Sequence, residues 1–164
     1  MTPVDETAEL DTSFLREAIR ISRSRMRQGR GEPFGAVAAR DGVLVARGWN
    51  AVTSSLDPTA HAEIVVIRRA CRTLATFHLT GCVLYSSCEP CPMCLAAAYW
   101  ARVDRLVYAA TRDDAARAGL DDTLIYRETP LTPGARSLHA EQLLAVEARA
   151  VFEEWLAKPD TVPY

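Results

Sequence analysis

The chain predicts an α/β fold: a three-layer α/β/α domain, with a central mixed sheet and helices on both faces. Three observations predict it. Segments with helical spacing of apolar residues alternate with short apolar runs, in the order helix, hairpin, helix, strand, helix, strand, helix. An Asp41-Gly42 pair between two strand-like runs has the chemistry of a tight hairpin. At 164 residues the chain is long enough for one sizeable core, and it holds no internal repeat or low-complexity tract.

Residues 1–10 are polar and read as frayed. Asp11, Thr12 and Ser13 offer caps for a first helix that carries Phe14, Leu15, Ala18, Ile19, Ser22 and Met26 at helical spacing, with Gly29 and Gly31 ending it. Arg16, Arg20, Arg23, Arg27 and Arg30 recur every three or four residues on that segment. The stripe reads either as the solvated side of an amphipathic helix, the ordinary case, or as a phosphate-binding face. Residues 34–39 and 43–47 form the hairpin strands, and 48–56 a loop. Asp57 with Pro58 predicts the start of a second helix, running to about Arg72 and offering Ile64, Val65, Ile67 and Ala70 for burial. Residues 82–86 are a buried strand, Pro90 opens a helix to about Trp100, and 106–109 are a strand. Residues 111–136 read mostly as loop. Segment 138–144 fits a strand or the start of a helix, and a helix over 147–157 is stopped by Pro159.

Composition sets bounds. The net charge of −2 gives no electrostatic reason for a nucleic-acid partner. No apolar run approaches the roughly 20 residues of a membrane span, and the N-terminus lacks a secretory pattern. Five cysteines is an odd count, and three of them crowd into residues 88–94. That spacing suits metal better than a disulfide framework and points to a reducing, cytoplasmic setting.

The chemistry concentrates in His61-Ala62-Glu63 and, thirty residues on, Pro90-Cys91-Pro92-Met93-Cys94. One imidazole and two thiolates are donors for a zinc ion that keeps its fourth position open. Zinc lowers the pKa of a water it holds to about 7. Glu63, two residues from the histidine, is then free to move protons, which typically contributes roughly 10²–10⁴-fold. Cys91 and Cys94 share a helix face near an N-terminus, where the dipole favours thiolate. A structural zinc knuckle is the competing reading, with Cys88 as fourth ligand. Cys88 lies before Pro90, off the face that Cys91 and Cys94 share, and this disfavours it. Cys71 and Cys82 read as small core residues.

The H-x-E and P-C-x-x-C pair is the signature of zinc nucleobase deaminases. Residues 57–64 (DPTAHAEI) and 88–94 (CEPCPMC) resemble the cytidine deaminase-like superfamily, in the branch shared by guanine deaminases and tRNA adenosine deaminases. Residues 33–37, 99–102, 108–110, 114–116 and 118–122 resemble the guanine deaminase side. The resemblance covers nearly the whole chain and is weakest over 127–150. It implies a zinc enzyme that converts guanine and water to xanthine and ammonia, with His61, Cys91 and Cys94 on the metal and Glu63 as proton shuttle. It further implies that Asn50 and the backbone around Ala62 hold the purine edge, that Phe34 and Trp100 pack near the ring, and that Asp122 accepts from amino and ring N–H groups. A homodimer that exchanges C-terminal segments, about 147–164, is implied as well, with Tyr164 closing the partner's site.

Each of these has an ordinary counterpart. Asn50 follows a strand, where asparagine is a common turn residue. Asp122 fits a solvated loop, Phe34 and Trp100 fit a core, and Tyr164 fits a disordered terminus. Other functions compete too: deamination of guanosine, cytosine or a tRNA adenosine, and a non-catalytic zinc module. Glu63 separates the enzyme from the module, because only the enzyme needs it.

Overall fold

The structure, a computed structural model, describes residues 3–162, with side chains from residue 6 onward. They form two compact units, one running to Asp122 and the other starting at Thr123.

The first unit is built on four strands, β1 (Gly35–Arg40), β2 (Val43–Trp49), β3 (Cys82–Cys88) and β4 (Arg105–Ala110), in the order β2-β1-β3-β4. Asp41 and Gly42 both take positive φ, 51° and 74°, as a two-residue type I′ hairpin requires. β1 pairs antiparallel with β2 and β3, and β3 pairs parallel with β4, so the sheet is mixed as expected.

Helix α1 (Pro3–Arg27) covers one face. It packs Ile21, with Phe14 and Leu15, on Val37, Ala39 and Tyr85. It begins well before the expected caps. Glu6, Ala8, Glu9 and Leu10 favour helix, so Asp11, Thr12 and Ser13 lie inside it. Asp11 bonds across to the sheet instead, pairing with Arg105 at 2.6 and 2.7 Å and accepting from the Tyr85 hydroxyl at 2.7 Å. The Arg105 bonds hold its carboxyl below the usual range. Gly29, at φ 64°, ends the helix.

Helices α3 (Ala62–Thr73) and α4 (Pro92–Trp100) cover the other face. Ala62, Val66, Ala70 and Ala98 meet Ala36, Ala38 and Leu84 there. A short helix, α2 (Val52–Ser55), precedes them. The second helix does not start at Asp57. Asp57 Oδ1 accepts from the Thr59 N–H at 2.8 Å and the Thr59 hydroxyl at 2.7 Å, forming an Asx turn that closes on itself. The Ala60 carbonyl is taken by Ala51 N–H at 2.9 Å, so helical bonding starts only at His61. Likewise Pro92, not Pro90, sits in the first turn of α4, with Cys91 as its N-cap.

Residues 111–136 are less loop-like than expected. Thr111 and Asp114 form a capping box that starts α5 (Arg112–Arg117). The second unit holds α6 (Thr123–Glu128), a 3-10 turn (Pro133–Ala135) and α7 (Ala145–Ala157). Residues 138–144 form no strand. Among the described residues no helix is long and apolar enough to cross a membrane.

Candidate metal centre

Both expected ligand segments sit at helix N-caps. His61 caps α3 with φ −64° and ψ 154°, and Cys91 caps α4 with φ −64° and ψ 167°. Neither side chain is used to cap its own helix. Two positive dipole ends therefore flank one point. The first turn of α3 is pressed onto β2 at Gly48, where a Cβ would lie 2.9 Å from the Ala62 carbonyl and 2.7 Å from Val66. Only glycine lets the helix come that close.

His61, Cys91 and Cys94 converge, with their donor atoms all within 4.8 Å of one another. The Cys91 Sγ to His61 Nδ1 distance is 3.6 Å. Zinc bonds of about 2.3 Å to sulfur and about 2.05 Å to nitrogen, at the tetrahedral angle, set such donors about 3.6 Å apart. The donor set and its spacing fit zinc. Nδ1 is the nitrogen turned toward Cys91 and so the one presented to the metal. Cys88 is not part of the group: it ends β3, and its thiol donates to the Thr111 carbonyl at 3.4 Å.

The protonation pattern follows from this crowding. The Cys91 thiol is pulled down to about 4, chiefly by the hydrogen bond from Cys94 and then by His61. Cys94 is pushed up by the same bond, by its burial and by the charge of Glu63. The bond to Cys91 raises His61, against its burial.

Glu63 lies in the first turn of α3, buried, with Oε1 accepting from the Ser86 hydroxyl at 2.7 Å and Oε2 from the Cys94 thiol at 3.4 Å. Burial pushes its carboxyl above the usual range, and the Ser86 bond opposes that. It stands against the ligand group by one oxygen and is anchored to β3 by the other. This is the placement a proton carrier needs.

The other expected site residues divide. Asn50 is buried; its Oδ1 accepts from Val52 N–H at 3.0 Å, and its own N–H donates to the Phe34 carbonyl at 3.0 Å. Gly31 packs against it so closely that a Cβ would lie 1.8 Å from the Asn50 carbonyl oxygen. Phe34 and Asn50 are thus stitched together beside the ends of β1 and β2. Phe34 also packs on the core, so its two readings coexist. Ala62 is fully buried beside Glu63. Asp122 is half-buried, and its carboxyl is pushed up by that burial and by the charge of Cys91. Trp100 is 67% exposed at the far end of α4, about 13 Å along the helix from Cys91 at 1.5 Å per residue. The structure does not bring it to the donors. Tyr164 lies outside the described residues.

Two residues at the site carried no sequence signal. Ser86 is one of two serines in a buried strand, and only its register shows which of them reaches Glu63. Glu32 has a buried Oε2 with no hydrogen-bond partner, and its charge helps to raise the pKa of His61.

A mixed-sheet α/β unit that presents His61, Cys91 and Cys94 from two helix N-termini, with an anchored carboxylate alongside, defines a zinc-dependent hydrolytic deaminase. Residues 8–110 match the cytidine and deoxycytidylate deaminase zinc-binding region, and the chain belongs to that family. It is 46% identical over 143 residues to the guanine deaminase of Bacillus subtilis (strain 168), an alignment spanning 87% of this chain and 92% of that one. The crystal structure of the Bacillus subtilis guanine deaminase superposes with a TM-score of 0.91 at 44% identity, over 93% of this chain and 98% of that one. A tRNA-specific adenosine deaminase of Aquifex aeolicus (strain VF5) is 38% identical over 97 residues, 59% of this chain and 64% of that one.

Proposed function

We propose that this protein converts guanine and water to xanthine and ammonia. The observation that carries the reading is the three-donor group with Glu63 held against it, in a chain that aligns over most of its length with a guanine deaminase. Zinc held by His61, Cys91 and Cys94 would supply an activated water at neutral pH. Glu63, through the oxygen facing Cys94, would carry a water proton to a ring nitrogen and help protonate the departing amine. Ser86 keeps the other oxygen in place. Asn50 has its carbonyl end committed to Val52 N–H, which leaves its amide N–H₂ as a donor for a purine acceptor. The Ala62 backbone and Phe34 line the same side. Asp122 accepts from adjacent N–H groups of guanine, and the rise in its pKa suits a carboxylate near the donors that is half withdrawn from water.

The proposal includes one deaminase domain over residues 1–164, acting as a homodimer in which segments from about 147 to 164 are exchanged and Tyr164 closes the partner's pocket. Large exposed apolar residues support it: Tyr99 and Trp100 on the first unit, and Val151, Phe152, Trp155 and Leu156 on the second. The five free cysteines fit a reducing cytoplasm.

The test is ammonia release from zinc-loaded protein offered guanine, guanosine, adenine, cytosine and a tRNA anticodon stem-loop in parallel. Turnover of guanine alone is expected. Glu63→Gln should keep zinc and lose at least about 10²-fold in turnover. Equal turnover by parent and variant would remove Glu63 from the chemistry, no turnover of any of these substrates would leave a zinc-binding module, and turnover of another substrate with guanine inert would overturn the pocket assignments.

A further inference from the structure

Trp49 ends β2, the edge strand opposite β4, and two guanidinium groups lie over its ring. Arg25 is 3.9 Å and Arg69 4.9 Å from the ring centroid. They arrive from opposite faces of the sheet, Arg25 on α1 and Arg69 on α3. Arg20 and Arg47 join them. A cavity of about 110 Å³ opens at this point, lined by Arg20, Ile21, Ser24, Arg25, Arg47 and Trp49. A second hollow of about 390 Å³ shares Arg20 and Arg47 with it and adds Phe14 and Leu44 as apolar walls.

The charge of this cluster is unbalanced. Its four guanidinium groups meet one carboxylate, Glu17, which bonds Arg20 at 2.7 and 2.8 Å and Arg47 at 2.7 Å. Arg25 bonds Gln28 Oε1 at 3.3 Å, and Arg69 bonds the Arg47 carbonyl at 2.7 Å. Among the described residues neither has a carboxylate partner. Three positive charges are therefore in excess at one place on a chain whose net charge is −2. Like charges so close repel unless something holds them, and the Trp49 ring and Glu17 do so. Guanidinium groups held in this way offer several N–H donors already in place, the arrangement that matches phosphate oxygens and loses little freedom on binding. The hollow beside the cavity is of a size for a nucleoside.

We propose that this cleft binds a small nucleotide, its phosphate among Arg20, Arg25 and Arg47 and its sugar and base in the hollow against Phe14 and Leu44. The proposal stands apart from the deaminase reading. The competing role for the arginines is to blunt the exposed edge of β2, which requires no ligand.

The zinc-loaded full chain is titrated by calorimetry with inorganic phosphate, pyrophosphate, GMP and GTP. Saturable one-to-one binding is expected, weakening as salt rises and about tenfold tighter for GMP than for phosphate. Arg25→Gln and Arg47→Gln should each weaken GMP about tenfold or more, with guanine turnover by Arg25→Gln unchanged as the folding control. No saturation below about 10 mM, or equal affinity in parent and both variants, overturns the site. Equal affinity for phosphate and GMP overturns the place given to the nucleoside. Binding of a single-stranded RNA of about ten nucleotides that GMP does not displace overturns the small-ligand assignment in favour of nucleic acid.

Discussion

Removing the Ser86 hydroxyl should injure turnover while leaving the metal in place. Ser86 donates to Glu63 Oε1 at 2.7 Å inside the core, and neither group is open to water. A hydrogen bond to a charged group contributes roughly 1.5–3 kcal/mol. Each 1.36 kcal/mol is tenfold in a rate, so Ser86→Ala should lower kcat/KM for guanine roughly ten- to hundredfold. The direction with pH follows from the same bond. Burial already pushes the Glu63 carboxyl up, and Ser86 is the largest opposing influence. Without it the carboxyl rises further, less of it is ionised at mildly acid pH, and the acid limb of the pH–rate profile moves to higher pH. His61, Cys91 and Cys94 do not depend on Ser86, so zinc content should stay at the parent value. Ser86→Thr, which keeps a hydroxyl, should recover part of the loss. The assay is kcat/KM across pH 5–9 with zinc measured on the same samples. A profile that superposes on the parent's, with kcat/KM within about twofold, would refute the role given to Ser86 and with it the idea that Glu63 acts from an anchored position.

Three further outcomes are expected. Cys88→Ala should retain a full complement of zinc, because Cys88 bonds the Thr111 carbonyl and not the metal group; stoichiometric metal loss in that variant would revive a four-ligand structural site. Zinc uptake by the metal-free protein should release protons, from Cys94 across neutral pH and additionally from His61, whose raised pKa makes its share grow as pH falls. Calorimetry in two buffers of different ionisation heat reads this, and no buffer dependence would contradict the protonation pattern. Glu17, held at about 2 chiefly by the bond from Arg20, contributes stability above its ordinary value of 4.5 that is lost as pH falls toward about 2. The melting-temperature gap between parent and Glu17→Gln should therefore narrow across that range, and a constant gap would count against the pairing.

The site and the fold were legible to different degrees. His61, Glu63, Cys91 and Cys94 could be read directly, because metal ligation demands particular side chains at particular spacings. The hairpin was equally plain, since Asp41-Gly42 supplies the positive φ that a two-residue turn needs. Helix starts were not. Asp57-Pro58 has the composition of an N-terminus, yet the Asp57 carboxylate closes an Asx turn, and the Ala60 carbonyl goes to Ala51, nine residues earlier. Asp11 likewise looks like a cap and is an ion-pair partner of Arg105, 94 residues on. In the segment after β4, the Thr111-to-Asp114 capping box was present in the sequence and is what turns an expected loop into α5.

What the sequence determined by itself was chemistry: which side chains can hold zinc, which carboxylate stands beside them without joining the group, and that helices alternate with strands. Tertiary structure decided position. It set His61 and Cys91 at two helix N-caps, chose Ser86 as the anchor of Glu63, left Trp100 exposed away from the donors, and gathered Arg20, Arg25, Arg47 and Arg69 around Trp49. The division has a physical cause. Ligand type and local spacing are properties of a few neighbouring residues, whereas a buried hydrogen bond or a cluster of like charges exists only once strands and helices from distant parts of the chain have paired and packed.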